Sequence, residues 1–230
     1  MALILNIDTA LDTANVALAE DGKVVSSMSN DTQKDHASWL QPALQELMKD
    51  AGVNMQQLSA IGISIGPGSY TGLRIGLSAA KGICYALGIP LITEISLKLM
   101  AFSAINYANG EQFPACILFC PMIDARRMEV FAAIYDHALH AVMEPRSMIL
   151  NEKCFEGELG RQKMLFLGNG SIKFRQLCQN QRAIFKEIPL NPIALATLTY
   201  ANFIGNNFAD LAYTEPLYLK SSLLSKPNHR

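Results

Sequence analysis

Runs of apolar residues with two different periods follow one another along the first half of the chain. Residues 2–7 form a continuous apolar run, which is typical of a strand covered on both faces. Ile61, Ile63 and Ile65 alternate with other residues, which also predicts a strand. Elsewhere apolar residues recur every three or four positions, the spacing of one helix face. In chain order the pattern predicts strands at 2–7, 14–19 and 24–28, a helix that begins at 35–38 and ends at 50, a strand at 61–65, a helix at 72–87, a strand at 91–93 and a helix at 96–107.

The second half of the chain shows the same kinds of pattern less clearly. It predicts strands at 115–119, 129–135 and 164–167, a helix that runs towards Gln179, and a helix at 192–204. Residues 106–110 interrupt the pattern, so we place a boundary there, with lobes at 1–108 and 109–230. We expect the last helix to pack back onto the first lobe. Strands that alternate with helices favour an α/β fold with a mainly parallel sheet core.

The composition describes a folded protein without a strong electrostatic field. Half of the 230 residues are hydrophobic and 17% are charged, which excludes intrinsic disorder. Lys and Arg number 19 against 20 Asp and Glu, and this net charge of −1 does not favour autonomous binding of nucleic acid. No apolar run approaches the roughly 18 residues of a membrane span. Five cysteines, mostly in apolar stretches, indicate reduced thiols. We therefore expect a cytoplasmic protein that does not contact membranes.

Asp8 and Thr9 directly follow the first predicted strand. A carboxylate at the carboxyl end of a central strand lies where α/β sheets bind ligands, and it can position a metal–phosphate or a water. The alternative is a structural Asx turn that leads into the next strand. The sequence leaves both interpretations open.

A glycine-rich loop between a predicted strand and a predicted helix is the most informative segment. Its amides and the helix N-terminus are suited to receive an anion, although the loop lacks the lysine of a P-loop. The alternative is structural, because glycines let two backbones approach closely or let another subunit pack over the turn. Arg74 and Lys81 lie on the following helix, where a contact face would let them pair with a partner's carboxylates. The loop consists of Gly66, Pro67, Gly68, Ser69, Tyr70, Thr71 and Gly72.

The sequence contains no convincing catalytic set. A zinc pair at Cys116 and Cys120 is the alternative to buried thiols, but its spacing is wide and a second pair is absent. His137 and His140 lie three residues apart without an accompanying Cys or Glu pattern. Ser69 is not part of the G-x-S-x-G elbow of serine hydrolases. We therefore expect no metal site and no catalytic residue.

Six segments, in order along the whole chain, resemble those of one protein family. Residues 66–76 read GPGSYTGLRIG, nearly letter for letter the family signature GPGSFTGLRIG, and a match of this length is highly specific. On these segments the chain resembles the TsaB family, formerly YeaZ, the bacterial partner subunit in threonylcarbamoyladenosine biosynthesis on tRNA. The other five segments are LNIDT at 5–9, DHASWLQP at 35–42, DARRMEV at 124–130, GNG at 168–170 and PLYL at 216–219.

The resemblance implies both a fold and a role. The fold is actin-like or sugar-kinase-like, with two related α/β lobes of which the second is reduced. The role is that of a non-catalytic scaffold that binds and activates TsaD. TsaD transfers a threonylcarbamoyl group to the adenosine next to the anticodon in tRNAs that read codons beginning with A. The ATPase TsaE joins that pair, tRNA is bound indirectly through the complex, and the chain forms a homodimer when TsaD is absent.

The resemblance also bears on catalysis and on nucleotide binding. Catalytic relatives hold a metal with an H-x-x-x-H pair on the helix after the glycine signature. The corresponding residues 93–101 contain no histidine, so that metal would not be held. An inherited nucleotide site would include Asp8, Thr9, Gly168 and Gly170, but Asn169 replaces the usual acidic residue and weakens it. We expect no cofactor of the chain's own, with ATP or ADP at the boundary of the complex.

The resemblance places the contact with TsaD on helices of the first lobe. We expect two apolar stripes on those helices to be exposed, and exposed stripes need a partner. The alternative function is an enzyme of the same fold that acts alone. It would be a nucleotide hydrolase or small-molecule kinase that uses Asp8 and the glycine loops, or a relative of the M22-type metallopeptidases. The expected interface residues are Leu40, Leu44, Leu47, Leu73, Arg74, Leu77 and Lys81.

Overall fold

Two five-stranded sheets, each flanked by helices, form the framework of the protein. The computed structural model describes residues 1–32, 35–110 and 117–219. The strands of the first sheet are β1 (Leu3–Asp8), β2 (Ala14–Glu20), β3 (Lys23–Asn30), β4 (Ala60–Ser64) and β5 (Leu91–Glu94). The strands of the second are β6 (Leu118–Asp124), β7 (Glu129–Tyr135), β8 (Ala141–Ile149), β9 (Met164–Leu167) and β10 (Ala183–Phe185). The helices are α1 (His36–Asp50), α2 (Tyr70–Leu87), α3 (Ser96–Gly110), α4 (Glu156–Arg161), α5 (Ser171–Leu177) and α6 (Pro192–Ile204).

The second sheet repeats the topology of the first. The strand orders are β3-β2-β1-β4-β5 and β8-β7-β6-β9-β10. In each sheet the first three strands pair antiparallel and the last two add in parallel. The expected mainly parallel core is therefore wrong, because short hairpin connections such as Asp21-Gly22 force neighbouring strands to run in opposite directions.

Two helices cross between the sheets and join them. On the first sheet, α1 and α2 cover one face, and α6 covers the other. The second sheet carries α3 on one face and α4 and α5 on the other. Thus α3 follows the first sheet in sequence but packs on the second, whereas α6 follows the second sheet but packs on the first. The buried Thr199 hydroxyl of α6 donates to Asn6 Oδ1 of β1 at 2.7 Å.

Most predicted elements lie within three residues of the observed ones, and β7, β9 and α6 have the predicted bounds. The strand predicted at 115–119 is wrong: β6 begins at Leu118 and continues to Asp124, while 115 and 116 lie outside the described residues. The elements β8, β10 and α4 were missed, as was a one-turn 3-10 helix at Met55–Gln57. β8 contains Pro145, which a strand tolerates here because β8 is at the edge of its sheet. The lobe division at 108 and 109 falls in the last turn of α3 and stays a prediction.

Candidate functional site

The glycine-rich loop packs directly against the turn that follows β1. A β-carbon on Gly68 would lie 2.1 Å from the carbonyl oxygen of Ala10, and one on Gly72 would lie 2.1 Å from that of Thr9. Both distances are far below the 3.0 Å that real β-carbons keep from other atoms. Glycine at these two positions therefore lets α2 approach the end of β1 more closely than any side chain would allow.

Two of the amide donors at the start of α2, those of Ser69 and Gly72, bond within the protein. Ser69 N donates to the Ala10 carbonyl oxygen at 2.7 Å, and Ser69 Oγ caps the helix by accepting from Gly72 N at 3.3 Å. The Thr9 hydroxyl in turn donates to the Gly72 carbonyl oxygen at 2.7 Å. An anion site at a helix N-terminus needs free amides. The geometry therefore favours the structural interpretation of this loop.

Asp8 lies at the end of β1 with only 4% of its surface exposed. Its Oδ1 accepts from the amide of Ala10, two residues further on, at 3.0 Å, which is the geometry of an Asx turn. Burial raises the pKa of Asp8 to about 6, and this effect outweighs the opposite effect of hydrogen bonds from the Ala10 amide and the Ser64 hydroxyl. The carboxyl group thus has structural partners within the chain.

The space beside Asp8 is a cavity of about 10 Å³. Leu99 of α3 and Leu195 of α6 line it, so the two crossing helices fill the region between the sheets. A cavity of this size holds about one water molecule, whereas small-molecule sites usually measure about 300–1,000 Å³. The geometry therefore does not support a nucleotide at Asp8, nor the alternative of an enzyme that uses this carboxylate.

Gly168 and Gly170 follow β9 and pack against β6. A β-carbon on Gly168 would lie 2.4 Å from the Met122 carbonyl oxygen, and one on Gly170 would lie 2.9 Å from the carbonyl carbon of Ile123. Neither glycine lines the cavity beside Asp8. Close packing between strand ends accounts for both glycines, and the nucleotide site expected at Asp8, Thr9 and these two positions is not assembled around that cavity.

The apolar stripes of α1 and α2 are not exposed, so that part of the sequence-based interface is wrong. The stripes cover the first sheet, where they pack against strand residues such as Leu5 and Ile61. An apolar stripe has the same spacing whether it faces the protein's own sheet or another protein, so periodicity does not distinguish the two. The five buried leucines, each 5% exposed or less, are Leu40, Leu44, Leu47, Leu73 and Leu77.

The opposite face of α2 is open and carries small residues between aromatic ones. Ser78 and Gly82 are exposed in its middle. A β-carbon added to Gly82 would meet no other atom of the described chain within 4 Å. Tyr70 and Arg74 lie at the start of this face and Tyr85 at its end. The spacing of four, eight, twelve and fifteen residues from Tyr70 places all of them on one side of the helix.

Residues 209–219, which we call the C-terminal strap, run beside this face. Ala209 bridges to Leu91 at the start of the strap, and near its end Leu217 N donates to the Ile65 carbonyl oxygen at 2.7 Å. Between these points Lys81 Nζ donates to the carbonyl oxygens of Ala212 and Thr214, both at 3.1 Å. Lys81, expected to meet a partner's carboxylate, thus holds the strap on α2.

Arg74 forms a cluster with two tyrosines. Its guanidinium carbon lies 4.1 Å from the centre of the Tyr70 ring, and Nε donates to the Tyr218 hydroxyl at 3.0 Å. That hydrogen bond is the main cause that raises the pKa of Arg74. The cluster borders a cavity of about 440 Å³, which is within the size range of ligand sites. Pro67 and Gly68 of the glycine-rich loop, Phe131 of β7 and strap residues complete its wall.

Four of the seven tyrosines are exposed on α2 and the strap together, which we call the α2–strap surface. The exposed fractions are 56% for Tyr70, 84% for Tyr85, 84% for Tyr213 and 42% for Tyr218. Tyrosine is enriched where proteins bind one another. None of the four was predicted as an interface residue: Tyr70 was named only in the glycine-rich loop and Tyr218 only within the segment PLYL. The helical spacing of Tyr85 opposite the leucine stripe was nevertheless a usable signal. The two strap tyrosines are far from α2 in sequence and gave no such signal.

In the described ranges, no three His, Cys, Asp or Glu side chains come together in a way that would hold a metal ion. Of the helices described, none is long and apolar enough to cross a membrane.

Comparisons with known proteins connect this architecture to a family. Residues 23–214 match the family model described as TsaD, tRNA N6-adenosine threonylcarbamoyltransferase. The tRNA threonylcarbamoyladenosine biosynthesis protein TsaB of Bacillus subtilis is 32% identical over 180 residues, which cover 77% of this chain and 75% of that protein. The protein of the same name from Escherichia coli is 33% identical over 233 residues, with 97% and 96% covered.

Two solved structures from Pseudomonas aeruginosa share the fold. YeaZ superimposes with a TM-score of 0.78 at 23% identity and covers 95% of this chain and 100% of its own. An uncharacterized protein with similarity to peptidase YeaZ gives a TM-score of 0.78 at 22% identity, with 96% and 100% covered. Together with the repeated sheet topology, these structures confirm the predicted α/β fold of two related lobes, and the fold is that of YeaZ.

Proposed function

This chain belongs to the TsaB (YeaZ) family, and from that premise we propose that it is a non-catalytic subunit that binds and activates TsaD in tRNA threonylcarbamoyladenosine biosynthesis. In the cytoplasm it forms a heterodimer with TsaD, which TsaE joins, and it meets tRNA through that complex. In the absence of TsaD the same surface pairs two copies of the chain.

The observation that carries this proposal is the α2–strap surface. Gly82 lies in the middle of the exposed face of α2, where glycine costs about 1 kcal/mol relative to alanine. No contact within the described chain requires a glycine there, since a β-carbon would lie in open space. A helix of a partner, however, approaches closely only where side chains are absent or small. Exposed tyrosines border this small-residue patch on the helix and on the strap, which supports a protein partner.

The same geometry supports a non-catalytic role. Asp8 is the residue on which the alternative enzyme would depend, and it is buried in an Asx turn beside a cavity that holds about one water molecule. A nucleotide does not fit there. We therefore place any bound ATP or ADP at the boundary with TsaD, and none in the chain's own interlobe region.

A reconstituted modification assay tests the role. Unmodified tRNA, TsaD, TsaE, ATP and threonylcarbamoyl-adenylate are combined with and without this protein, and modified adenosine is counted by nucleoside mass spectrometry. We expect modification only when the chain is added, and none from the chain alone. Full modification in its absence would overturn the proposal, and ATP turnover by the isolated chain that is lost in Asp8→Ala would favour the enzyme.

A matched pair of variants tests the surface. Gly82→Arg adds a long side chain in the middle of the exposed α2 face, and Gly157→Arg makes the same change in α4, where a β-carbon also meets nothing within 4 Å. We expect Gly82→Arg to weaken binding of TsaD by at least about tenfold, or 1.4 kcal/mol, with an unchanged far-UV CD spectrum. Gly157→Arg is expected to bind as the unaltered chain does. Equal binding by both variants would exclude this face as the interface.

A further inference from the structure

The cavity of about 440 Å³ beside Arg74 is assembled from parts of the chain that are far apart in sequence. Tyr70 and Arg74 come from the start of α2, Phe131 from the second sheet, and Leu217 and Tyr218 from the strap. Its mouth adjoins the exposed α2 face, because Arg74 lies one helical turn before Ser78 on the same side of the helix. A partner that covers the α2–strap surface therefore also covers this cavity.

The Arg74 guanidinium is held in place but only partly used. Its central carbon lies 4.1 Å from the centre of the Tyr70 ring, and its Nε donates to the Tyr218 hydroxyl at 3.0 Å. Neither contact uses the terminal Nη groups. Within residues 1–32, 35–110 and 117–219 no carboxylate lies within ion-pair distance of Arg74, although the Glu215 carboxylate of the strap is near enough to help raise the Arg74 pKa. A preorganised guanidinium whose Nη1–Nη2 edge is not used by these contacts is suited to bidentate binding of a planar anion.

The rest of the wall favours a carboxylate over a phosphate. Phosphate sites recruit several cations or the free amides of a helix N-terminus. Among the residues that the structure describes, Arg74 is the only cationic one that lines the cavity. The amide of Ser69 is already bonded to the Ala10 carbonyl oxygen. Most of the wall is apolar, from Pro67, Phe131 and Leu217. One carboxylate with apolar groups beside it matches that combination.

We propose that this cavity receives an acidic side chain, with an apolar neighbour, from the protein that docks on the α2–strap surface. The carboxylate pairs with the Nη groups of Arg74, and the apolar neighbour fills the space between Phe131 and Leu217. Tyr218 acts as a positioning residue that fixes the guanidinium. This inference rests on the proposed function, in which that partner is TsaD.

Substitutions at Arg74 test the charge and the fork geometry separately. Binding of TsaD is measured by titration calorimetry for Arg74→Gln and Arg74→Lys. Arg175→Gln, at an exposed arginine of α5, is the matched control. We expect both Arg74 variants to bind about 30-fold more weakly or worse, because lysine keeps the charge but not the bidentate fork. Arg175→Gln is expected to bind as the unaltered chain does. Wild-type affinity in Arg74→Gln, or full rescue by Arg74→Lys, would overturn the inference.

The same titrations separate this inference from the proposed function. If the unaltered chain does not bind TsaD, the proposed function itself fails. If Gly82→Arg abolishes binding while Arg74→Gln does not change it, the partner surface stands and only the carboxylate site is wrong.

A photo-crosslink identifies the occupant. Tyr70 is replaced by benzoylphenylalanine, and the complex with TsaD, TsaE and tRNA is irradiated and digested. We expect a crosslink to a TsaD peptide that contains Asp or Glu beside an apolar residue. A crosslink to tRNA, to a second copy of the chain or to a TsaD peptide without an acidic residue would overturn the assignment, as would the absence of any crosslink to TsaD.

Discussion

Replacing three glycines of α2 by alanine, one at a time, is expected to change the stability of the protein in opposite directions. At Gly72 the added β-carbon would lie 2.1 Å from the backbone oxygen of Thr9. At Gly76 it would lie 2.3 Å from the Thr9 hydroxyl oxygen, and at Gly82 it would meet nothing within 4 Å. The local change is the same in each variant, so any difference between them measures tertiary contacts.

The expected magnitudes follow from those distances. At Gly72, β1 and α2 have to move apart, which costs about 1–3 kcal/mol as overpacking. Loss of the buried hydrogen bond from Thr9 to Gly72 adds about 1–3 kcal/mol. The better helix propensity of alanine offsets up to about 1 kcal/mol of this cost. The free energy of unfolding should therefore fall by about 3 kcal/mol in total. At Gly76 the Thr9 side chain can rotate away, so we expect a loss of about 1 kcal/mol. Gly82→Ala should gain about 1 kcal/mol.

Urea unfolding followed by far-UV CD measures these differences as changes in the free energy of unfolding. The same glycine substitutions are then made in a chain that also carries Thr9→Ala. This change removes the hydroxyl that the new β-carbon at position 76 would contact, but it leaves the backbone oxygen that the new β-carbon at position 72 would contact. The cost of Gly76→Ala should therefore disappear in that background, while most of the cost of Gly72→Ala should remain. The packing argument would be refuted if the free energy of unfolding of Gly72→Ala equalled that of the unaltered chain, or if that of Gly82→Ala were lower.

Three further perturbations test the Asp8 turn, the crossing helix and the strap. Because burial raises the pKa of Asp8 from 3.8 to about 6, the folded state binds more protons between these values and loses stability as pH rises through them. Asp8→Asn should remove that part of the pH dependence and be more stable than the unaltered chain by up to about 2 kcal/mol at pH 7, measured by urea unfolding across pH 4–7. Thr199→Val removes the hydroxyl that donates to Asn6 Oδ1 and should lower the free energy of unfolding by about 1–3 kcal/mol in the same assay. An unchanged urea midpoint would contradict the hydrogen bond between α6 and β1. Lys81→Met removes the hydrogen bonds to the carbonyl oxygens of Ala212 and Thr214, so the strap should open more often and the Leu217 amide should exchange its hydrogen faster. Unchanged exchange would mean that other contacts hold the strap.

The secondary structure was predictable wherever one local pattern dominates. The apolar stripes of α1 and α2 and the alternation in β4 depend only on neighbouring residues, so their bounds follow from periodicity. Periodicity failed for β8, an exposed edge strand with an internal proline, because its residues are stabilised by one neighbouring strand and not by burial. The glycine-rich loop was recognisable as special, but its sequence did not show whether its amides and glycines serve an anion, another subunit or a close approach of the chain to itself. Folding alone decides that.

The sequence by itself determined the family, the alternation of strands and helices, and the importance of the glycines around α2. It did not determine which faces of the helices stay exposed. An apolar stripe specifies that a surface will be buried but not what buries it. The sheet that covers the leucines of α2 is assembled from strands that precede α2 in the sequence and from β5, which follows it. Likewise the contact between Arg74 and Tyr218 joins residues 144 positions apart. Only the tertiary structure, which brings the strap to α2, creates the surface on which the proposed function depends.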